Sequence, residues 1–472
     1  MPHASLSSAA TSRGSIPSGR ALVSAIMKRL LPLLLLAAFA LPAHAEEPKI
    51  AYQKFELKNG LKVYVIEDPK SPTVYEVLWF GVGSKDEVAN RTGFAHLFEH
   101  LMFKGSKHLP DGLMDRLLEA AGGWSNAFTS SDMTVYQNVA GSNFLEQMMW
   151  MESDRLAGLL DTFDKPKLDN QRDVVLNERR QSYENQPYGM ASLLIQEALW
   201  PKDHGYHWST IGYTKDLQAA TVADVSQFFR TYYVPNNATL VIAGDVKLDE
   251  VKRVVEKYFS WLPRGAEPKR PQYKTPPPIT KEIVINTTDD VQVPRVYLTW
   301  RGPAGFTADE PALDTVAAIL GDGKSSRLYK RLVYDEKIAQ NVSAGFSGEQ
   351  LGGSFEIVVT AKPGTDPKRL IKEITEEVAK ISTTAPDAKE LERAVNSREA
   401  AFLNGLEPTL SRAIQLASYD VQAKDPDYFA KDLARRRAVT TAQVKDVAAK
   451  YLKPNARVVL TISPGKKPQE KQ

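Results

Sequence analysis

Residues 221–236 read T-V-A-D-V-S-Q-F-F-R-T-Y-Y-V-P-N, and residues 440–455 read T-T-A-Q-V-K-D-V-A-A-K-Y-L-K-P-N. At a constant offset of 219, Tyr232 meets Tyr451, Pro235 meets Pro454 and Asn236 meets Asn455. A run of β-branched residues follows each, Thr239 to Ala243 and Arg457 to Ile462. Helix, Tyr-x-x-Pro-Asn turn and strand therefore occur twice, in register over 16 positions. The chain reads as a duplicated domain of roughly 200 residues.

Between the two copies, residues 263–278 turn rich in proline and basic residues, which can neither continue a helix nor join a sheet centre. This stretch is the expected linker between a first domain at 46–262 and a second at 279–464, with a polar tail at 465–472. Leu61 to Glu67 alternates as a half-buried strand should, after the Asn59-Gly60 turn. Tyr75 to Phe80 and Met133 to Val139 are further expected strands, and Leu313, Val316, Ala317 and Leu320 mark a helix. Runs of strands separated by long helices predict an α+β fold, a sheet covered by helices on one face.

The 472 residues carry a net charge of only +3, and no long basic run is interleaved with aromatics, so nucleic acid is not an expected partner. Met27-Lys28-Arg29, the apolar run Leu30 to Leu41 and the small-x-small site Ala43-His44-Ala45 read as an export signal over residues 1–45, with Met27 an alternative start. The run is short for a bilayer span, and no integral membrane segment is expected after cleavage. The expected location is an exported compartment, the bacterial periplasm. With no cysteine in the chain, any metal must be held by His, Asp or Glu.

His96-Leu97-Phe98-Glu99-His100 supplies such a set. Phe94, Leu97, Phe98, Leu101 and Met102 fall on one helical stripe, and His96, Glu99 and His100 share the opposite face. Two imidazoles one turn apart can grip one ion, and the carboxylate between them can take a proton from water. A catalytic Zn²⁺ needs a third protein ligand and an open position. His108, His204, His207 and many acids are available. Glu178, on a helix expected from about Lys165 to Tyr183 and opened by Asp164 and Pro166, is the strongest of them, with a solvated helix charge as its other reading.

G-F-A-H-L-F-E-H-L-M-F-K-G-S, then S-N-A-F-T-S-S-D-M-T-V-Y, then V-V-L-N-E-R-R resemble the pitrilysin–insulysin family of zinc peptidases, the inverzincins, in its mitochondrial-processing-peptidase-like branch. The resemblance runs from about Phe55 to Ile462. It implies two homologous domains, each a mainly antiparallel sheet covered by helices, facing each other across a chamber. It implies one Zn²⁺ per chain on His96, His100 and Glu178, with Glu99 as general base. It also implies that Trp124 to Thr129 is an edge strand where a peptide substrate adds as an extended strand, with Asn126, Ala127 and Phe128 as substrate-binding residues.

Two positions depart from that family's pattern. Many members carry a second Glu two helical turns before the distal ligand, where this chain has Gln171. Active single-chain members place an Arg and a Tyr seven residues apart over the chamber, where this chain has Val333 and Gln340. Arg331, Tyr329 and Tyr334 lie nearby but on other helical faces. In two-subunit relatives a paralogue without the metal site supplies the Arg and Tyr, so this chain is expected to be the metal-bearing partner of a heterodimer, with a homodimer as the other possibility. The expected activity is metalloendopeptidase. The different classes are a non-catalytic binding or assembly subunit, which a zinc assay separates, and a hydrolase of non-peptide bonds.

Overall fold

The computed structural model describes residues 49–467. The export-signal reading and residues 468–472 lie outside the described residues. Two sheets organise the chain. The first comprises β1 (Gln53–Glu56), β2 (Lys62–Glu67), β3 (Thr73–Phe80), β4 (Trp124–Thr129), β5 (Thr134–Gly141) and β6 (Ala238–Gly244), in the spatial order β1-β2-β6-β3-β5-β4. The second comprises β7 (Ile283–Asp289), β8 (Arg295–Gly302), β9 (Ala339–Glu349), β10 (Gly352–Ala361) and β11 (Arg457–Pro464), in the order β7-β11-β8-β10-β9.

The two orders match strand for strand once β1, which has no counterpart in the second sheet, is set aside. β6 runs parallel to β2 and antiparallel to β3, as β11 runs parallel to β7 and antiparallel to β8. All other pairs are antiparallel. The repeat read from the sequence has a local cause. Thr221 caps the Val222–Tyr232 helix, its hydroxyl accepting the Asp224 N–H while Asp224 accepts the Thr221 N–H. Thr440 and Gln443 form the same capping box at the head of the Thr441–Tyr451 helix. Each box satisfies orphan donors at a helix start, and each helix then feeds an interior strand of its own sheet, β6 or β11.

One face of each sheet carries its own helices. Val63, Val65, Leu78, Phe80, Tyr136, Leu240 and Ile242 pack against Phe98, Met148, Phe228, Phe229, Val251 and Val254. Burying a large apolar side chain contributes roughly 1.5–3 kcal/mol, so this layer dominates the stability of the first half. Val296, Leu298, Trp300, Phe355 and Val459 do the same in the second half with Leu313, Ile374 and Val444.

The expectation of a single covered face needs correction. Tyr64 and Ile66 are buried as well as Val63 and Val65, so β2 is not half-exposed. The helix Thr409–Ser418 of the second half lays Ala413, Leu416 and Ala417 on Tyr64, Ile66, Val77, Trp79 and Val241. Reciprocally, Tyr188, Ala191 and Ile195 of the first half cover Tyr297, Leu460 and Ile462. Each half lends a segment to the other sheet, and the alternation of each strand then buries both sets of residues. Asp420 fixes the exchange, accepting from Lys62 Nζ at 3.1 Å, Tyr64 OH at 2.9 Å and Thr239 Oγ1 at 2.9 Å.

A second polar junction joins the β9–β10 hairpin to the first half. Asp132, in the turn after β4, accepts the Gln350 N–H at 2.8 Å and the Tyr206 hydroxyl at 2.7 Å, and Lys85 Nζ stands 3.3 Å away. Tyr206 in turn accepts the Leu351 N–H at 2.9 Å. Burial and the nearby Asp132 push Glu349 up to about 7, partly offset by the Ser131 hydroxyl and Lys85. No described helix is long and apolar enough to cross a membrane.

Candidate functional site

The predicted stripe forms the helix Phe94–Leu101, with Phe94, Leu97, Phe98, Leu101 and Met102 all buried. Its N-terminus is held by a buried carboxylate, Glu87, which accepts the Gly93 N–H at 2.9 Å and the Ala95 N–H at 2.8 Å. This satisfies otherwise orphan donors, while burial pushes the Glu87 carboxyl well above the usual carboxylate range, opposed by those two N–H groups. Gly93 itself is left-handed at φ 85°, and its Cα packs against Gly212 so closely that a Cβ on Gly212 would lie 2.5 Å from it.

The helix carrying Glu178 spans Lys165–Arg179 and runs on into a π-helical turn, Arg180–Glu184. Asp164 caps it by accepting the Lys167 N–H at 3.0 Å, with Pro166 in the first turn, as the sequence reading expects. Arg179 donates to the Gly212 carbonyl at 3.1 Å. Gly212 touches both Gly93 and Arg179, so it ties the two helices together at the site.

His96 Nε2 and His100 Nε2 are 3.2 Å apart, and Glu178 Oε2 lies 3.6 Å from the first and 3.3 Å from the second. Among the described residues this is the one group of three such side chains able to share an ion. Tetrahedral Zn²⁺ with ligands at about 2.0–2.1 Å spaces its donor atoms about 3.3–3.4 Å apart, so the three residues fit that ion without rearrangement. Burial, reinforced by the neighbouring His100, brings His96 down to about 4, which keeps it in the neutral form that ligates metal. The hydrogen bond from His100, ahead of the charge of His96, holds Glu178 below the usual carboxylate range. His96 Nδ1 is buried without a partner, so helix packing rather than an outer hydrogen bond sets that ring.

Glu99 sits on the same helix, 9% exposed. Burial raises its pKa, and the Thr129 hydroxyl, donating to Oε2 at 2.5 Å, opposes that rise. Thr129 closes β4, which is an edge strand paired only with β5. The Ser130 N–H donates to the Met133 carbonyl at 2.8 Å. Antiparallel pairs alternate between bonded and non-bonded, so Asn126 and Phe128 spend their backbone groups on β5. Ser125, Ala127 and Thr129 turn theirs to the open edge. Their side chains share the face toward the Phe94–Leu101 helix, where Ala127 packs against the first core. Asn126 folds over the edge, its Oδ1 accepting the Ala127 N–H at 2.9 Å. Phe128 packs on the opposite face, beside the helix lent by the second half.

The other histidines stand elsewhere. His108 pairs with Asp154 at 2.6 Å, His204 stacks on Trp200 with ring centroids 4.6 Å apart, and His207 Nδ1 contacts the Trp200 carbonyl at 2.8 Å. Gln171 is buried and donates to Asn170 at 2.6 Å. In the second half, Glu310–Gly321 is the counterpart of the His-bearing helix, and its Asp314 is paired with Arg436 at 2.8 Å. Arg331 is committed to Glu336, Glu373, Glu376 and Glu377 of its own half. Val333 and Tyr329 pack on the second core, Gln340 is exposed on β9, and Tyr334 is 74% exposed. Sequence reasoning did not single out Thr129 or Glu87. The period-two series Ser125, Ala127, Thr129 was the available signal for the first; for the second there was only an acid seven residues ahead of a helix.

Two α+β halves of one topology, with two imidazoles and a carboxylate converging beside an acid, define the architecture of a metallohydrolase class. Residues 62–205 match the family model described as Insulinase (Peptidase family M16), and residues 219–398 match that described as Peptidase M16 inactive domain. The chain is 30% identical over 401 residues to the zinc protease PqqE of Helicobacter pylori, covering 84% of this chain and 90% of that protein. It is 26% identical over 430 residues to a probable mitochondrial-processing peptidase subunit beta of Arabidopsis thaliana, covering 86% and 77%. The crystal structure of a protease from Helicobacter pylori superimposes with a TM-score of 0.82 at 28% identity, covering 88% of this chain and all of that one. The chain belongs to the M16 peptidase family.

Proposed function

We propose that this chain is a zinc-dependent endopeptidase that cleaves extended peptides or unfolded segments in an exported compartment, working with a paralogous partner subunit. The observation that carries the reading is the convergence of His96 Nε2, His100 Nε2 and Glu178 Oε2 within 3.2–3.6 Å of one another, one residue from a buried acid. One Zn²⁺ there supplies Lewis acidity and brings the pKa of water from about 15.7 toward 7. His96, His100 and Glu178 are its ligands. Glu99 accepts the proton of the attacking water and passes it to the departing amine nitrogen.

The edge of β4 holds the substrate. Ser125 and Ala127 offer backbone donors and acceptors that no other strand uses, so a peptide can add by main-chain pairing with little demand on its sequence. Asn126 releases the Ala127 N–H when the strand adds, which frees its own amide to bind the peptide backbone. Phe128, on the other face, sets the strand against the second half.

The partner reading rests on Val333 and Gln340. Donors aimed at the developing oxyanion typically contribute several kcal/mol, and Arg331 is engaged by four carboxylates of its own half. A paralogous subunit, or a second copy in a homodimer, then supplies them. Export rests on the reading of residues 27–45.

The test is Glu99→Gln with a quenched-fluorescence peptide and metal analysis. The expected result is one Zn²⁺ per chain in both proteins and no turnover in the variant. Cleavage retained by a clean Glu99→Gln preparation removes Glu99 from the role. A wild-type chain that binds no zinc and cleaves nothing, even with its paralogue, is an assembly subunit instead.

A further inference from the structure

The Thr129 hydroxyl has a single proton and two neighbours. Glu99 Oε2 lies 2.5 Å away and Thr134 Oγ1 lies 3.4 Å away. Thr134 spends its own proton on the Val82 carbonyl at 3.0 Å. The Thr129 proton therefore goes to Glu99, by far the shorter contact and a charge-assisted one. This divides the labour of the carboxylate. Oε2 is held by Thr129, and that contact leaves Oε1 unengaged by the Thr129 proton.

Thr129 is also part of the strand that presents the open edge. Its backbone groups belong to the outward series of Ser125 and Ala127, while its side chain grips Glu99. We propose that Thr129 is a positioning residue that aims Glu99, linking the backbone that seats the substrate strand to the carboxylate that handles the proton. The inference rests on the peptidase reading for its catalytic consequence; the geometric claim stands separately. A buried Glu side chain without this donor has free rotation about its terminal torsion, which is broad for an sp²-ended chain. A strand that settles on β4 then no longer meets a fixed base, and a small misplacement of a catalytic group costs rate rather than binding.

Two substitutions separate the donor from mere packing. Thr129→Val keeps the β-branched shape and removes the proton; Thr129→Ser keeps the proton and removes a methyl. With a ten-residue quenched-fluorescence peptide, Thr129→Val is expected to lose about 10- to 100-fold in kcat with KM changed less than about threefold, and Thr129→Ser to restore most of the loss. Zinc content by mass spectrometry stays at one per chain in all three. Crystal structures of the three zinc-loaded proteins give the readout that needs no turnover. Glu99 takes one conformer in wild type and Thr129→Ser, and swings away or splits in Thr129→Val. A Thr129→Val protein with Glu99 unmoved and kcat unchanged overturns the proposal. If wild type cleaves nothing even with its paralogue present, the peptidase reading fails while the crystallographic comparison still decides the role of Thr129.

Discussion

Replacing Glu349 with glutamine tests how the halves are joined. In the wild type this carboxyl is half-buried at the tip of the β9–β10 hairpin beside Asp132, and its pKa rises from 4.5 to about 7. The folded chain thus keeps a proton on Glu349 between pH 4.5 and about 7 that the unfolded chain has already released. The stabilisation is fully present below pH 4.5 and is lost as pH climbs through about 7. At about 1.36 kcal/mol per pH unit the rise from 4.5 to about 7 corresponds to roughly 3 kcal/mol, and solvent contact at the partly exposed side chain trims it to about 2–3 kcal/mol. The assay is chemical denaturation of wild type and Glu349→Gln across pH 5 to 8.5. Subtracting the variant removes every other titrating group. The wild-type advantage should grow by about 2–3 kcal/mol from the alkaline to the acid end. A difference constant within about 0.5 kcal/mol across that range refutes the reasoning, because a junction with no protonated carboxyl gives no pH slope.

Three other outcomes are expected. Phe98→Ala empties a fully buried position between the His-bearing helix and Phe229, and should cost about 3–5 kcal/mol by denaturation and weaken zinc retention. Gly123→Ala places a methyl carbon 1.9 Å from the Val139 carbonyl oxygen; the head of β4 must move, so hydrogen exchange at 124–129 should accelerate and KM for extended peptides should rise. Glu87→Ala removes the acceptor of two N–H groups at the head of the Phe94–Leu101 helix, with an expected cost of about 1–3 kcal/mol and weaker zinc binding read by chelator competition.

What was legible in the sequence follows from how local each cause is. The stripe Phe94, Leu97, Phe98, Leu101 and Met102 fixes which side of its helix is buried, and so aims His96, Glu99 and His100. Asp164 and Pro166 announce the helix that carries Glu178. The capping boxes at Thr221 and Thr440 make the repeat visible. The exchanged cover was not legible. Ala413, Leu416 and Ala417 have helical apolar spacing, which says that a face is buried but not that the first sheet buries it. The contact of Gln350 with Asp132 spans 218 residues and leaves no local pattern. The bond from Thr129 to Glu99 joins two elements whose crossing is set by packing, so only coordinates reveal it.

The proposed chemistry turns on one ion and three side chains. X-ray diffraction from crystals of the purified chain, recorded on both sides of the zinc absorption edge, tests it most directly. A single anomalous peak is expected about 2.0–2.2 Å from His96 Nε2, His100 Nε2 and a Glu178 carboxylate oxygen. A zinc-replete crystal with no peak there, or with the ion held by other residues while Glu178 points to solvent, contradicts it.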